Sequence, residues 1–193
     1  MGNKVVEKNR IFTLLDHGHC LTKEAEAILD TAAGLAEARE IVGRLEETLH
    51  PRMPAAGLAA PQIGISKQVF IFSWNRSPGH LEAAINPSFQ ALSEEKTFGW
   101  EGCFSIPLAL ANVPRYQAIL ATYTTPDNER VTYKLHGFAA RVFQHEWDHL
   151  QGIQNIHRPD ADVKEFATSE EIMAFIQEVK KGDVANYIKP KKQ

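Results

Sequence analysis

The chain has 193 residues, 44% of them apolar and 23% charged, with a formal charge of −3. That length suits one domain, residues 1–193, with enough chain to bury a core. The weakly acidic balance excludes the broad basic field that DNA binding needs, and no apolar run approaches the ~20 residues of a membrane span.

Met1-Gly2-Asn3-Lys4-Val5-Val6 lacks the apolar stretch of a secretory signal, and Val6 stands where a myristoylation motif needs Ser or Thr. A cytoplasmic location is expected, or an organelle if a transit segment has been cut away. Of the two cysteines, Cys20 lies beside His17 and His19, which reads as a local coincidence, and both cysteines are expected as free thiols or metal ligands. Leu35, Ala38, Val42, Leu45 and Leu49 repeat at helical spacing and predict an amphipathic helix packed on a sheet. Pro51 and Pro54 end it and lead into the small-residue stretch Ala55-Ala56-Gly57-Leu58-Ala59-Ala60-Pro61-Gln62.

Strand signals follow. Val69-Phe70-Ile71-Phe72 is a short apolar run, Trp74-Asn75-Arg76-Ser77-Pro78-Gly79 reads as a loop, and Ala83-Ala84-Ile85 predicts a strand stopped by Asn86-Pro87. Residues 118–123 and 131–135 predict a hairpin joined through Thr125-Pro126-Asp127-Asn128-Glu129. Residues 138–151 predict a second helix, and the capping-box pattern Thr168-Ser169-Glu170-Glu171 starts a third. Lys189, Lys191 and Lys192 form a basic tail within residues 189–193. This order predicts an α+β fold: mostly antiparallel strands around a central helix, with an N-terminal amphipathic helix and a C-terminal helix.

The second helix carries His145-Glu146-Trp147-Asp148-His149. Histidines four apart share a helix face and can close on one ion, with the intervening Glu146 placed as general base. A third ligand is needed. Asn155 occupies the position where one extended form of the motif has histidine, His157 lies two residues later, and Glu165 or Glu170 could serve by position alone. Upstream, Cys103 in Glu101-Gly102-Cys103-Phe104-Ser105 would complete a Cys-His-His set with a fourth position free for water, although a lone cysteine is more often a small buried apolar residue. Gln62 offers an amide N–H suited to an oxyanion, and the competing reading of its stretch is a tight turn packed on the core.

Taken in order, the Gly57–Gln62 stretch, Glu101 to Ser105 and His145 to His149 resemble the three motifs of the peptide deformylases, metallohydrolases that remove the N-formyl group from newly made bacterial and organellar proteins. Ile85-Asn86-Pro87, Gly99-Trp100, Ile106-Pro107 and Leu150-Gln151-Gly152 extend the likeness, which covers about residues 40–153. The resemblance implies that Cys103, His145 and His149 bind one divalent metal ion. Iron(II) is expected, with zinc, nickel or cobalt as substitutes, since the donor set does not select among them. Glu146 would act as general base and then proton donor, with the attacking hydroxide drawn from a water on the ion. Gln62 and the backbone N–H of Phe104 would face the oxyanion. The Gly57 backbone would pair with the substrate, and Ala56, Phe138, Arg141 and Val142 would wall the methionine pocket, Arg141 through its aliphatic stem. A Glu101–Arg115 pair is a further expectation.

The implied partners are N-formylmethionyl peptides of nascent chains, with a transient ribosome contact through the tail lysines as a minor reading. The implied location is the bacterial cytoplasm. The chain departs from the family pattern at Ala55, at Leu108-Ala109-Leu110 where charged residues are common, and at Gln154-Asn155-Ile156-His157-Arg158, which keeps only the arginine of a Leu-Phe-x-Asp-Arg run. Competing readings are a metallopeptidase or deacylase on another N-blocked peptide, and a non-catalytic binder of formylated peptides. The second would need Glu146 or a ligand lost, and neither is.

Overall fold

The structure, a computed structural model, describes residues 9–74 and 81–186. The readings of residues 1–6, of the loop at 75–79 and of the tail at 189–193 fall outside the described residues.

Helix α1 (Ala32–Leu49) begins where the Thr31 hydroxyl accepts the Gly34 amide at 3.0 Å, satisfying one of the otherwise orphaned first-turn donors. Ala38, Ile41, Val42, Leu45 and Leu49 are buried along one stripe. Strands β1 (Gly57–Ala59), β2 (Val69–Ser73), β3 (Leu81–Ala91), β4 (Lys96–Thr97) and β5 (Trp100–Cys103) follow. Then come β6 (Ile106–Asn112), β7 (Arg115–Tyr116), β8 (Ala118–Thr124) and β9 (Arg130–His136), helix α2 (Gly137–Leu150), β10 (Asp162–Glu165) and α3 (Ser169–Asn186). The α+β class, its mainly antiparallel strands and its helices are those expected.

The main sheet has the order β1-β2-β3-β8-β9 with every neighbour antiparallel. β2 reads as a continuous apolar run because both its faces are covered. Phe70 and Phe72 face one core with Ile119, Tyr123, Phe143 and Leu150, while Val69 and Ile71 face the other with Val42, Leu45 and Leu49. Alternation thus divides the sheet between α2 and α1. Phe143 of α2 meets Phe70 and Phe72 edge-on, with centroids 5.1 and 5.5 Å apart, and this seats the histidine helix. A smaller sheet, β10-β6-β5, carries Cys103 at the end of β5, and β4 pairs with β7.

Two local expectations are corrected. β3 does not stop at Asn86-Pro87 but runs on to Ala91, with its pairing to β8 shifted between Ile85 and Ser88. Asn86 takes φ 48° there, and its side chain accepts the Ile28 amide and donates to the Ile28 carbonyl, both at 2.8 Å. The proline therefore sits in a bulge, where its missing N–H breaks no ladder bond. At the start of α3, Thr168 accepts the Glu171 amide at 3.2 Å as a cap should, but the Glu171 carboxylate reaches past it to the Ala167 amide at 2.9 Å. The N-terminal segment, which lies ahead of the stretch of family likeness, is tied into the fold: Phe12 donates to the Gln62 carbonyl and Ala25 to that of Leu150, each at 2.8 Å.

Candidate active site

Helix α2 presents His145 and His149 one turn apart, with ring centroids 5.0 Å from each other. The end of β5 brings Cys103 to them: its Sγ lies 3.4 Å from His149 Nε2, and the donor atoms of all three residues fall within 4.8 Å of one another. Among the described residues this is the one group of three or more such side chains gathered closely enough for an ion. A thiolate and two imidazoles, converging with no other ligand among them, fit a divalent borderline metal with a coordination position left open. Cys20 points elsewhere, donating to the Pro61 carbonyl at 3.4 Å. Asn155, His157, Glu165 and Glu170 are not in the cluster.

Around the ligands runs a buried network of charges. Glu101 accepts Arg115 through Nε at 3.0 Å and a terminal nitrogen at 2.8 Å, and its Oε2 lies 2.9 Å from His145 Nδ1. Arg115 also bonds Asp148, which in turn holds Arg158. This is the work of the one arginine left in the divergent segment after Gly152. Burial alone would raise the Glu101 carboxyl, but hydrogen bonds from His145 and Arg115 hold it well below the usual carboxylate range. Burial opposes the His145 cation as well, and bonds to Cys103 and Glu101 outweigh it and raise its pKa well above the ordinary value. His149 moves the opposite way, lowered by burial and by the neighbouring His145 charge. Metal binding would then release the proton that this environment favours on His145.

Glu146 is 4% exposed and its Oε2 has no hydrogen-bond partner. Burial pushes its carboxyl up to about 7. Gly57 lies against it: a Cβ at Gly57 would come within 2.6 Å of Glu146 Oε1. The glycine thus lets β1 close on α2, a role the sequence reading, which gave it substrate pairing, did not include. Gln62 is oriented from behind. Its Oε1 accepts the Ala59 amide at 2.9 Å, which turns Nε2 toward Ser105 Oγ at 3.2 Å and Cys103 Sγ at 3.5 Å.

A cavity of about 680 Å³ opens onto these groups. Ala56, Gly57, Gln62, Cys103, Phe104, Phe138, Arg141, Val142, His145 and Glu146 line it, while His149 lies behind its wall. Arg141 is more than the apolar wall expected of it, since its guanidinium donates to Glu101 Oε1 and the Val113 carbonyl, each at 2.8 Å. It also explains Gly99, where a Cβ would meet the Arg141 guanidinium carbon at 2.8 Å.

Two residues escaped the sequence reading. Asn155 donates to the Glu101 carbonyl at 3.0 Å and so braces the ligand-bearing strand. Gln154 donates to the Leu21 carbonyl at 2.6 Å and leaves Oε1 buried without another partner. His149 Nδ1 is also buried without one, and the Gln154 side chain acts to raise the His149 pKa against the larger lowering by burial. The only signal was negative: polar residues where the family pattern is apolar.

This fold, with a three-donor cluster that could hold one metal ion beside a buried carboxylate, fits a hydrolase of the single-metal class. Residues 9–165 match the family model "Polypeptide deformylase". The chain belongs to that family, the enzymes that remove the N-formyl group from nascent peptides. The match extends beyond residues 40–153 at both ends. It is 40% identical over 126 residues to a peptide deformylase of Pseudomonas syringae pv. tomato, covering 62% of this chain and 70% of that one. The crystal structure of the Thermotoga maritima peptide deformylase is similar, with a TM-score of 0.67 and 34% identity over 77% of this chain and 95% of that one. So is a Met-Ala-Ser-bound deformylase of Acinetobacter baumannii, with a TM-score of 0.67 and 30% identity over 77% and 97%.

Proposed function

We propose that this protein hydrolyses the formyl amide of N-formylmethionyl peptides, as a single-domain, iron(II)-dependent enzyme of the bacterial cytoplasm. The observation that carries this reading is the unpartnered Glu146 carboxylate oxygen beside the Cys103–His145–His149 cluster, inside a peptide-sized cavity. Cys103, His145 and His149 would hold a divalent ion, which when bound would supply Lewis acidity and bring the pKa of water toward neutral. The remaining work belongs to the protein. Glu146 takes the proton of the attacking water, and a carboxyl held near neutrality can then give it to the departing amine. The formyl C–N bond breaks, leaving formate and a free methionyl amine. Gln62 Nε2 and the Phe104 backbone N–H donate to the developing oxyanion, in an environment where such donors act strongly.

The Gly57 backbone pairs with the peptide chain, and Ala56, Phe138, Val142 and the stem of Arg141 enclose the methionine side chain. The Met-Ala-Ser bound by the Acinetobacter baumannii relative supports a methionine-headed peptide as ligand. Zinc, nickel or cobalt would occupy the same donors. No helix among the described residues is long and apolar enough to cross a membrane. A transient ribosome contact through Lys189, Lys191 and Lys192 remains part of the proposal.

The test offers iron(II)-loaded protein formyl-Met, acetyl-Met and unblocked peptides of one sequence. Formate released from the first alone is the expected result, and cleavage of an internal peptide bond would overturn the assignment.

A further inference from the structure

Beyond the metal, the cavity continues between two apolar surfaces that the catalytic reading leaves idle. One is the outer run of β6, with Leu108, Ala109 and Leu110; the other is the face of α3 bearing Ile172, Met173 and Ile176. Three of the large apolar side chains exposed on the described surface, Phe104 at 42%, Leu108 at 39% and Met173 at 57%, meet at this one cavity. Isolated apolar residues on a surface mean little, but several converging on one concave site mark a place where something apolar docks. No Lys, Asp or Glu lines this end. The cavity's ionisable residues are Glu101, Cys103, Arg141, His145 and Glu146, already committed at the metal end, and Arg52 on the opposite lip, which donates to the Asn9 carbonyl at 3.4 Å and to that of Thr48.

The α3 wall is fastened in place. Phe175 meets Trp100 of β5 edge-on at 4.9 Å and Phe166 at 5.4 Å, so α3 is pinned to the strand that carries Cys103. The Phe166 amide donates to the Leu108 carbonyl at 2.8 Å, tying the approach to α3 to β6. Leu108 itself is held at φ 61°, a backbone region a leucine seldom occupies. In that conformation Leu108 lines the cavity, and strain of this kind persists where the surroundings over-determine it.

We infer that Leu108 and Leu110 of β6, with Ile172 and Met173 of α3, form a second binding site that selects substrates with apolar side chains at the two residues following formylmethionine. The inference rests on the deformylase reading for the direction in which the peptide runs: methionine enclosed near α2, and the chain leaving toward β6 and α3. An apolar side chain desolvated against this wall gains affinity, whereas a charged one loses hydration and finds no partner.

The experiment measures kcat/KM for a series of formyl-Met-X-Y peptides with X and Y drawn from Leu, Phe, Ser, Asp and Lys, and calorimetric affinity for the matching unformylated peptides. Apolar X or Y should exceed charged ones by about tenfold in both, the worth of a partly buried side chain. In Met173→Glu the preference should collapse and Lys-containing peptides should gain, while Met173→Leu should keep the wild-type ratios. Leu108→Asn, which suits a left-handed backbone, should weaken the preference without unfolding the strand. A flat profile in kcat/KM and in affinity, or ratios unmoved by Met173→Glu, overturns the inference. If no formylated peptide is turned over, the deformylase reading fails, and the peptide affinities still decide whether the apolar site exists.

Discussion

The two ends of the cavity are built on opposite plans. At the α2 end the charges around the ligands are tied down: Glu101 alone holds His145, Arg115 and Arg141, and Asp148 joins Arg115 to Arg158, while Glu146 Oε2 is left without a partner. At the α3 end the wall is apolar and partly exposed, and is held by ring contacts from Phe175. Chemistry at a metal needs atoms fixed within fractions of an ångström, and buried charge-assisted networks supply that only if complete. Choosing a side chain needs only shape and dryness, which many sequences can provide. The chain keeps the three family motifs at the first end, where its departure at Asn155 adds a hydrogen bond to the Glu101 carbonyl, and loses the charged residues common in the family at the second, at Leu108-Ala109-Leu110.

The sharpest way to break this contrast is to remove a central charge. Arg115→Met leaves the buried Glu101 and Asp148 without their shared partner and is expected to cost roughly 3–5 kcal/mol in denaturant unfolding, against under about 0.5 kcal/mol for the exposed Met173→Ala. A comparable cost for both would mean the two ends are equally structural.

Next is the pH dependence of the metal-free protein. Burial raises Glu146 from 4.5 to about 7, so between those values the folded state holds a proton the unfolded chain has released. Stability contributed at this site is therefore lost as pH rises from 4.5 to 7, by roughly 3 kcal/mol at most, and Glu146→Gln should flatten that slope in thermal unfolding. An unchanged slope would show that Glu146 is not the group responsible. Glu101 acts in the opposite sense. With its folded pKa depressed, its contribution is present above the unfolded value and is lost only as pH falls through the acid range.

Smaller still is Gly57→Ala, whose added carbon lies 2.6 Å from Glu146 Oε1. Displacing the base while leaving the ligands in place should lower kcat by about 100-fold with metal content unchanged. Gln154→Leu should have the least effect: a metal affinity weakened by about tenfold in chelator competition, with Gln154→Glu recovering most of it. Unchanged affinity would remove Gln154 from the support of His149.

Much of this was legible in the chain because it is local. Helix α2 and its histidines follow from spacing, and the 118–136 hairpin from two apolar runs around a turn. The metal site is a different case. Geometry within one helix yields two ligands, and the third lies 42 residues upstream on another element, as the 3.4 Å contact to His149 across 46 residues shows. Cys103 was reached through the resemblance of motifs rather than from periodicity. The Arg141 guanidinium's part and those of Asn155 and Gln154 were missed because they are hydrogen bonds to Glu101, its carbonyl and Leu21, across 40, 54 and 133 residues. β3 was cut short because a proline normally ends a strand, and the Asn86 contacts to Ile28 that absorb it are equally remote.

The central claim is that Glu146 moves the proton at a site whose ion is held by other residues. It is tested most directly by measuring bound metal and formate release together, in wild type and in Glu146→Ala. The account predicts one ion per chain in both proteins, with formate release from a formyl-Met peptide at least about 100-fold slower in the variant. Equal rates at equal metal content would contradict it.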